Sequence, residues 1–196
     1  MDFGYSGLSV IGLAKACDLT ARTLYNYFSN KEEAFRGVCR FRNELNIQRG
    51  FEAGAAVRAQ GGSALDILSE IINIRYGDTR RVANASPHLI DLNAEIFKRC
   101  NDIVTEVALS FEDDLSKTIA ELEGAGLLKY RTNVSPQQLS RALCNGARGV
   151  NQRLPPCPPS QLAENYREIC QFVLSGGTEW LAPAPSSNKE KDDVMT

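Results

Sequence analysis

The chain has 196 residues, 43% of them hydrophobic, and carries 22 Lys and Arg against 24 Asp and Glu, a formal net charge of −2. That length suits one sizeable domain or a small one fused to a larger, with enough apolar content for a core. No apolar run approaches transmembrane length and no signal peptide opens the chain, so a cytoplasmic protein without a membrane partner is expected. The charge is unevenly spread. Residues 1–50 hold 7 basic and 5 acidic side chains, a balance of +2, while the remainder holds 15 and 19, a balance of −4. Because phosphate neutralisation dominates nucleic-acid affinity, a mildly basic head on an acidic body directs any DNA contact to the head.

The spacing in residues 9–35 predicts two short helices and a tight turn. Val10, Leu13 and Ala14 form one apolar stripe, Leu24 and Phe28 a second, and Leu19 is expected to plug the crossing between them. Ser9 and Thr20 are suited to cap the two helices, and Asp18 tolerates the backbone reversal of the turn. On the outward side of the second helix stand Thr20, Arg22, Thr23, Tyr25, Asn26 and Tyr27, side chains that reach phosphates or base edges in a major groove. Ser29 with Glu32, or Asn30 with Glu33, has capping-box spacing, so a third helix should start near Lys31, placing that lysine for another phosphate contact.

This constellation, Ser9, Val10, Leu13, Ala14, Leu19, Thr20, Thr23, Leu24, Tyr25, Tyr27, Phe28, Lys31, Glu32 and Glu33, with Phe3, Gly4 and Tyr5 before it, resembles the DNA-binding segment of the TetR/AcrR transcriptional regulators. The resemblance covers roughly the first fifth of the chain. It departs from the family pattern at Asp18, where Gly is usual, at Tyr27, where His is usual, and in lacking room before Gly4 for the family's first helix. The resemblance implies an all-α fold and double-stranded DNA as a partner. Ser9, Thr20, Ala21, Arg22, Thr23, Tyr25, Asn26, Tyr27 and Lys31 would then meet the operator.

Beyond the head the patterning is helical throughout, with no strand-like alternation. A helix from Lys31 to Ile47 is expected to give way to a flexible or weakly helical Gly/Ala-rich joint over residues 50–62. Ser63 then opens an apolar pattern through Leu65, Leu68, Ile71 and Ile72. Ser86 and Pro87 read as a cap and first-turn proline for a segment reaching Phe97. Ile103, Val107, Phe111, Leu115, Ile119 and Leu122 mark a long amphipathic helix ending at Gly124 and Gly126. Ser135, Pro136 and Gln138 start the next helix, with Leu139, Ala142, Leu143, Gly146, Ala147 and Val150 on one side. Four prolines in LPPCPPS end it, and Leu162, Tyr166, Ile169, Phe172 and Val173 line the last helix. Residues 182–196, rich in Pro, Ser and charge, should form a disordered tail. The domain boundaries expected are 1–47 for the DNA-binding head, 48–181 for the body and 182–196 for the tail.

In the resembled family the final helices pair across a homodimer as a four-helix bundle. Leu139, Leu143, Gly146, Ala147, Val150, Leu162, Tyr166, Ile169, Phe172 and Val173 are the corresponding interface candidates; burial of both faces within one chain is the alternative. The family's small-molecule effector cavity lies inside the body, where Leu68, Ile72, Tyr76, Phe97, Val104, Val107 and Phe111 would offer an apolar lining. Arg75 and Arg99 could turn toward it and select an anion, although long basic side chains on helices usually reach solvent.

Chemistry of other kinds has little support. Six cysteines lie at positions 17, 39, 100, 144, 157 and 170 without a C-x-x-C pair, and the one histidine is His88, so no zinc-ligand spacing is present. Most of the thiols should be small core hydrophobes, with Cys17 in the turn of the motif the one to watch. Glu112, Asp113 and Asp114 are adjacent and point to different helix faces, and no Gly-rich loop follows a strand. No cofactor is expected. The resulting reading is a ligand-responsive, homodimeric transcriptional regulator that acts as a repressor on a near-palindromic operator. A helical ligand-binding or interaction protein that has lost DNA binding, and an enzyme using Cys100 or His88, are the alternatives.

Overall fold

Three short helices lead into one long one in the computed structural model of the protein, which describes residues 4–7, 9–16, 19–84 and 88–179. Helix α1 spans Gly4–Gly7, α2 Val10–Ala16, α3 Ala21–Tyr25 and α4 Lys31–Ala59. Local chemistry sets their starts. Ser9 Oγ accepts from the Gly12 amide at 3.0 Å, and Thr20 Oγ1 from the Thr23 amide at 3.1 Å. Of the two capping pairs open at the start of α4, the fold uses the second: Asn30 Oδ1 accepts from the Glu33 amide at 2.8 Å. The Glu33 carboxylate in turn accepts from the Ser29 amide at 2.7 Å. Val10, Ala14 and Leu24 form the core of the head, with Ala21 and Phe28 packed against it. Leu19 does not plug this crossing; it is 45% exposed, and its amide instead donates to the Ala14 carbonyl at 2.8 Å. Phe3, Cys17, Asp18 and the Leu13 side chain, which also entered the motif, lie outside the described residues.

The expected joint at 50–62 is helix as far as Ala59, and the boundary expected at 47 falls inside an unbroken α4. Its glycines mark a seam. A Cβ at Gly54 would lie 2.5 Å from Ile71 Cγ1, and one at Gly50 would lie 3.0 Å from the Ile71 carbonyl oxygen. Gly50 and Gly54 are therefore where α4 and α5 (Ala64–Ile72) approach too closely for any side chain between them. Mid-helix glycine costs roughly 0.5–1 kcal/mol in propensity relative to Ala, and here that cost is set against backbone-to-backbone packing.

Ser63 and Asp66 form the capping box of α5: Ser63 Oγ accepts from the Asp66 amide at 3.2 Å, and the Asp66 carboxylate accepts from the Ser63 amide at 3.0 Å. The helix then widens into a π-helical segment over Asn73–Gly77 before α6 (Asp78–Asn84). Ser86 and Pro87 lie outside the described residues; α7 runs over Leu89–Arg99 and α8 over Asn101–Gly124. Gly126, at φ +72°, makes the left-handed turn that ends this run, letting the Leu127 amide reach the Leu122 carbonyl at 2.9 Å. Ser135 and Gln138 form the capping box of α9 (Pro136–Gln152), and a 3₁₀ turn over Pro159–Gln161 leads into α10 (Leu162–Gly177). Among the described residues the fold is all-α apart from two-residue strands β1 (Lys129–Tyr130) and β2 (Thr178–Glu179). These pair antiparallel with Lys129 opposite Glu179 and Tyr130 opposite Thr178. Residues 182–196 lie outside the described residues.

One large core holds the body together, built from Ile67, Leu68, Ile71 and Ile72 of α5, Phe111, Leu115, Ile119 and Leu122 of α8, Leu139 and Leu143 of α9, and Leu162, Tyr166 and Leu174 of α10. Cys39, Cys100, Ile103 and Val107 form a separate cluster nearer the head, between α4 and the start of α8. Among the described residues no helix is long and apolar enough to cross a membrane.

Candidate nucleic-acid interface and effector-binding body

The polar residues of α3 stand on its outward side because Leu24 and Ala21 turn inward to the core of the head. Arg22, Tyr25 and Asn26 are exposed, and Tyr27, just past the helix, is 72% exposed. Ser9 and Thr20 are also exposed, but their hydroxyls are partly committed to capping, and Thr20 Oγ1 and Thr23 Oγ1 share a hydrogen at 2.8 Å. Ala21 is half-buried against the head's core. Lys31 is half-buried with its Nζ 4.2 Å from the centre of the Tyr5 ring, a cation–π contact that holds its charge close to the head. Arg22, Tyr25 and Asn26, three and four residues apart, share one side of α3, with the Tyr27 phenol just beyond it; these are the donor types that position a protein on phosphates and read base edges.

A set of ion pairs fastens this head to the body. The Arg36 guanidinium is bidentate on Asp102, at 2.9 and 2.6 Å, and also donates to the Arg99 carbonyl. One turn on, Arg40 is bidentate on Glu106 at 3.0 and 2.7 Å. The partners advance together along α4 and α8, so these two helices run parallel from the head. Arg99 links a third element, donating to Glu95 at 2.5 Å and Glu32 at 2.7 Å while its guanidinium covers the Tyr5 ring at 4.4 Å. The hydrogen bond from Arg36 holds the Asp102 carboxyl down to about 2, and Arg40 lowers Glu106 in the same way. Arg36, Arg40, Asp102 and Glu106 were missed in the sequence. Two basic residues four apart on one helix and two acidic residues four apart on another are the signal for such a ladder.

The seven candidate lining residues do not converge. Leu68, Ile72, Tyr76 and Phe111 lie together in the body, where Phe111 meets Tyr76 and Phe51 at ring separations of 5.9 and 5.6 Å. Val107 and Val104 belong instead to the cluster around Cys39 and Cys100, because they lie on the stretch of α8 that faces the head-proximal part of α4. Phe97 is 63% exposed, outside either cluster. Arg99 turns to the head, whereas Arg75 is buried beside Tyr76. Burial pushes the Arg75 guanidinium below its ordinary value and the Tyr76 phenol above its own. A shallow open cleft lies elsewhere, lined by Asn30, Lys31, Glu32, Glu33 and Arg36 at the start of α4.

The small and apolar stripes of α9 and α10 mostly face each other and the body. Leu139, Leu143, Ala147, Val150, Leu162 and Tyr166, candidates for a subunit interface, are buried within this one chain. Gly146 is where α9 meets α10: a Cβ there would lie 2.3 Å from Ile169 Cγ2. Ile169 and Val173 are half-buried against the core, and Phe172 is 66% exposed. Periodicity reports that a helix face is covered, not whether its own chain or another covers it.

Residues 1–38 match the family model described as bacterial regulatory proteins, tetR family. A search of curated proteins finds no match. Among solved structures, the fold is similar to a TetR-family transcriptional regulator from Mesorhizobium loti, with TM-score 0.61 and 13% identity, covering 90% of each chain. It is also similar to one from Rhodococcus sp., with TM-score 0.63 and 13% identity over 87% of this chain and 89% of that one. A third is the TetR-family repressor FadR of Thermus thermophilus in complex with lauroyl-CoA, with TM-score 0.54 and 19% identity over 92% and 90%.

Proposed function

We propose that the chain is a ligand-responsive repressor of the TetR family: its head matches the family's model over residues 1–38, and its described length shares the fold of solved members. In this reading it binds a near-palindromic operator as a homodimer, each subunit laying α3 in a major groove. Arg22 reads a base edge; Thr20, Thr23, Tyr25, Asn26, Tyr27 and Lys31 hold phosphates, with Ser9 and Ala21 at the margin of the contact. The observation that carries the reading is the exposed polar face of α3 joined to the body through the long helix α4.

An effector in the body acts by shifting that connection. It changes operator affinity only to the extent that it binds one arrangement of the heads better than the other. The side chains around Leu68, Ile72, Tyr76 and Phe111 suit a molecule with substantial apolar surface, and the Thermus thermophilus relative holds an acyl thioester. Subunit pairing falls to the outward side of α9 and α10, where Phe172 remains exposed.

The full chain should select a two-fold symmetric sequence from a random double-stranded library. Anisotropy titrations against the selected duplex should then show two subunits per site and at least about a thousandfold preference over scrambled DNA. Equal binding to all sequences would refute the regulator reading.

A further inference from the structure

Arg75 is a buried cation that lacks an acidic partner among the described residues. It leaves the π-helical segment after α5 and is 7% exposed. Nη2 donates to Asn43 Oδ1 at 3.1 Å, and Nε has no hydrogen-bond partner among the described residues. The guanidinium carbon lies 5.2 Å from the centre of the Tyr76 ring and 5.6 Å from that of Phe111. The groups acting on its charge are Tyr76, Cys144 and a second cation, Arg148. Arg148 is half-buried on α9 and donates to Asn145 at 2.9 Å, again with no carboxylate paired to it among the described residues.

Two guanidiniums near one another, one of them sealed in an aromatic and aliphatic core, are a costly arrangement for a purely structural purpose. A buried charge is normally paired, and a hydrophobic residue of similar volume usually serves stability as well or better. The aromatic faces return only part of the lost hydration. A planar fork with an unused donor is suited to a carboxylate or phosphate, and the π-helical widening that carries it is a geometry frequent at functional sites.

We propose that Arg75, with Arg148 beside it, receives the acidic group of an amphiphilic effector, a small molecule with a carboxylate or phosphate head and an apolar body. Arg148 is the more accessible of the two and meets the anion first. Arg75 then pairs with it, while Leu68, Ile72 and Phe111 surround the apolar part. Pairing draws the guanidinium away from Asn43, which sits on α4 twelve residues from its start and so about 18 Å along the helix from the head. The site thus bears on the helix that positions the DNA-binding face.

This inference rests on the reading of the body as effector-binding, and its test is kept separate from DNA. The full chain is titrated by calorimetry with decanoate, decyl phosphate, decanol and decylamine. Wild type should bind at least one of the two anions about tenfold or more tightly than decanol, and decylamine weakest. The tighter of the two anions identifies the head group. Arg75→Met should bind decanol as wild type does and lose the anion preference, with its unfolding temperature in the absence of ligand equal or raised; Arg75→Lys should keep part of the preference. Arg148→Met, at a half-buried position, should weaken the anion preference without unfolding the chain. The proposal fails if neither anion binds, if decanol binds wild type as tightly as both anions, or if Arg75→Met keeps the preference. Anion binding through Arg75 with no change in operator affinity would sustain this site and refute ligand-responsive regulation. Operator binding without anion binding would refute this site and leave the DNA-binding part of the proposed function standing.

Discussion

Arg99, the last residue of α7, places its guanidinium over the ring of Tyr5 at 4.4 Å. Tyr5 is thereby held between two cations, since Lys31 Nζ stands 4.2 Å from the same ring, and its edge contacts Phe35 with ring centres 5.0 Å apart. The earliest described helix is thus clamped by residues of α4 and α7 together. Replacing Arg99 by Met keeps the stem but removes the charge. The protein should lose little overall stability, because its ion pairs are partly exposed. Amide exchange in residues 21–28 should nevertheless quicken relative to the body, since the head loses an anchor. Uniform exchange across the chain would mean the clamp does not order the head.

Arg22→Ala and Lys31→Ala should separate two kinds of DNA contact. Arg22 is exposed on the outward side of α3, so its loss should cost roughly 1–3 kcal/mol at the selected operator and relax preference at one position in each half-site. Lys31 is part of the Tyr5 clamp, and its loss should weaken all sequences alike and reduce the salt dependence by about one unit of slope. A uniform loss for Arg22→Ala would make it a phosphate contact.

Gly54→Ala tests the seam between α4 and α5. The added methyl would lie 2.5 Å from Ile71 Cγ1, so one helix must shift or Ile71 must leave its rotamer. A loss of about 1–3 kcal/mol is expected in denaturant unfolding, against the gain that Gly→Ala normally gives within a helix. Gly54→Ala and Ile71→Ala together should cost less than the sum of the two single losses, since the second removes the carbon that the new methyl meets. A stabilised Gly54→Ala would show the helices are free to separate there.

These glycines also show what a sequence conceals. The caps at Thr20, Asn30 and Ser135 were legible because donor and acceptor lie three residues apart, inside any short window. Gly50 and Gly54 read as a break because glycine weakens an isolated helix; their purpose is visible only once Ile71 is known to lie against them. The stripe of Leu139, Leu143 and Ala147 was correctly a buried face, yet its neighbour is α10 of the same chain. Arg75 and Arg99 looked equivalent on their helices, and tertiary packing sends one inward and the other to the head. The donors of α3 were foreseen as a group, but how far Thr20 and Thr23 satisfy each other depends on side-chain geometry that spacing leaves open.

The Asp102 carboxyl is held down to about 2 by Arg36, below the ordinary aspartate value near 3.9. A depressed value makes the pair's contribution fully present above about pH 4–5 and lost as pH falls toward 2. Stability of wild type and Asp102→Asn, followed by denaturant unfolding from pH 6 to 2, should differ by a constant amount above pH 5 and converge toward pH 2. A difference that does not change with pH would remove the carboxylate's charge from the interaction.

Phe172→Asp addresses assembly. Phe172 is exposed on α10, so a charge there does not enter the chain's own core. The variant should sediment as a monomer, keep its helicity and lose tight operator binding. A variant that remains dimeric would place subunit pairing away from α10.

The rungs between α4 and α8, Arg36 to Asp102 and Arg40 to Glu106, are made by side chains that are a third exposed or more, within reach of mobile ions. On the proposed reading, raising ionic strength acts twice on this protein. It screens the operator's phosphates, and it also slackens the struts that keep the head in register with the body. A plot of log affinity against log salt is commonly read as a tally of released counterions; here part of its steepness would be mechanical. Neutralising both rungs together, while leaving α3 untouched, should therefore shallow that plot although no phosphate contact has been removed.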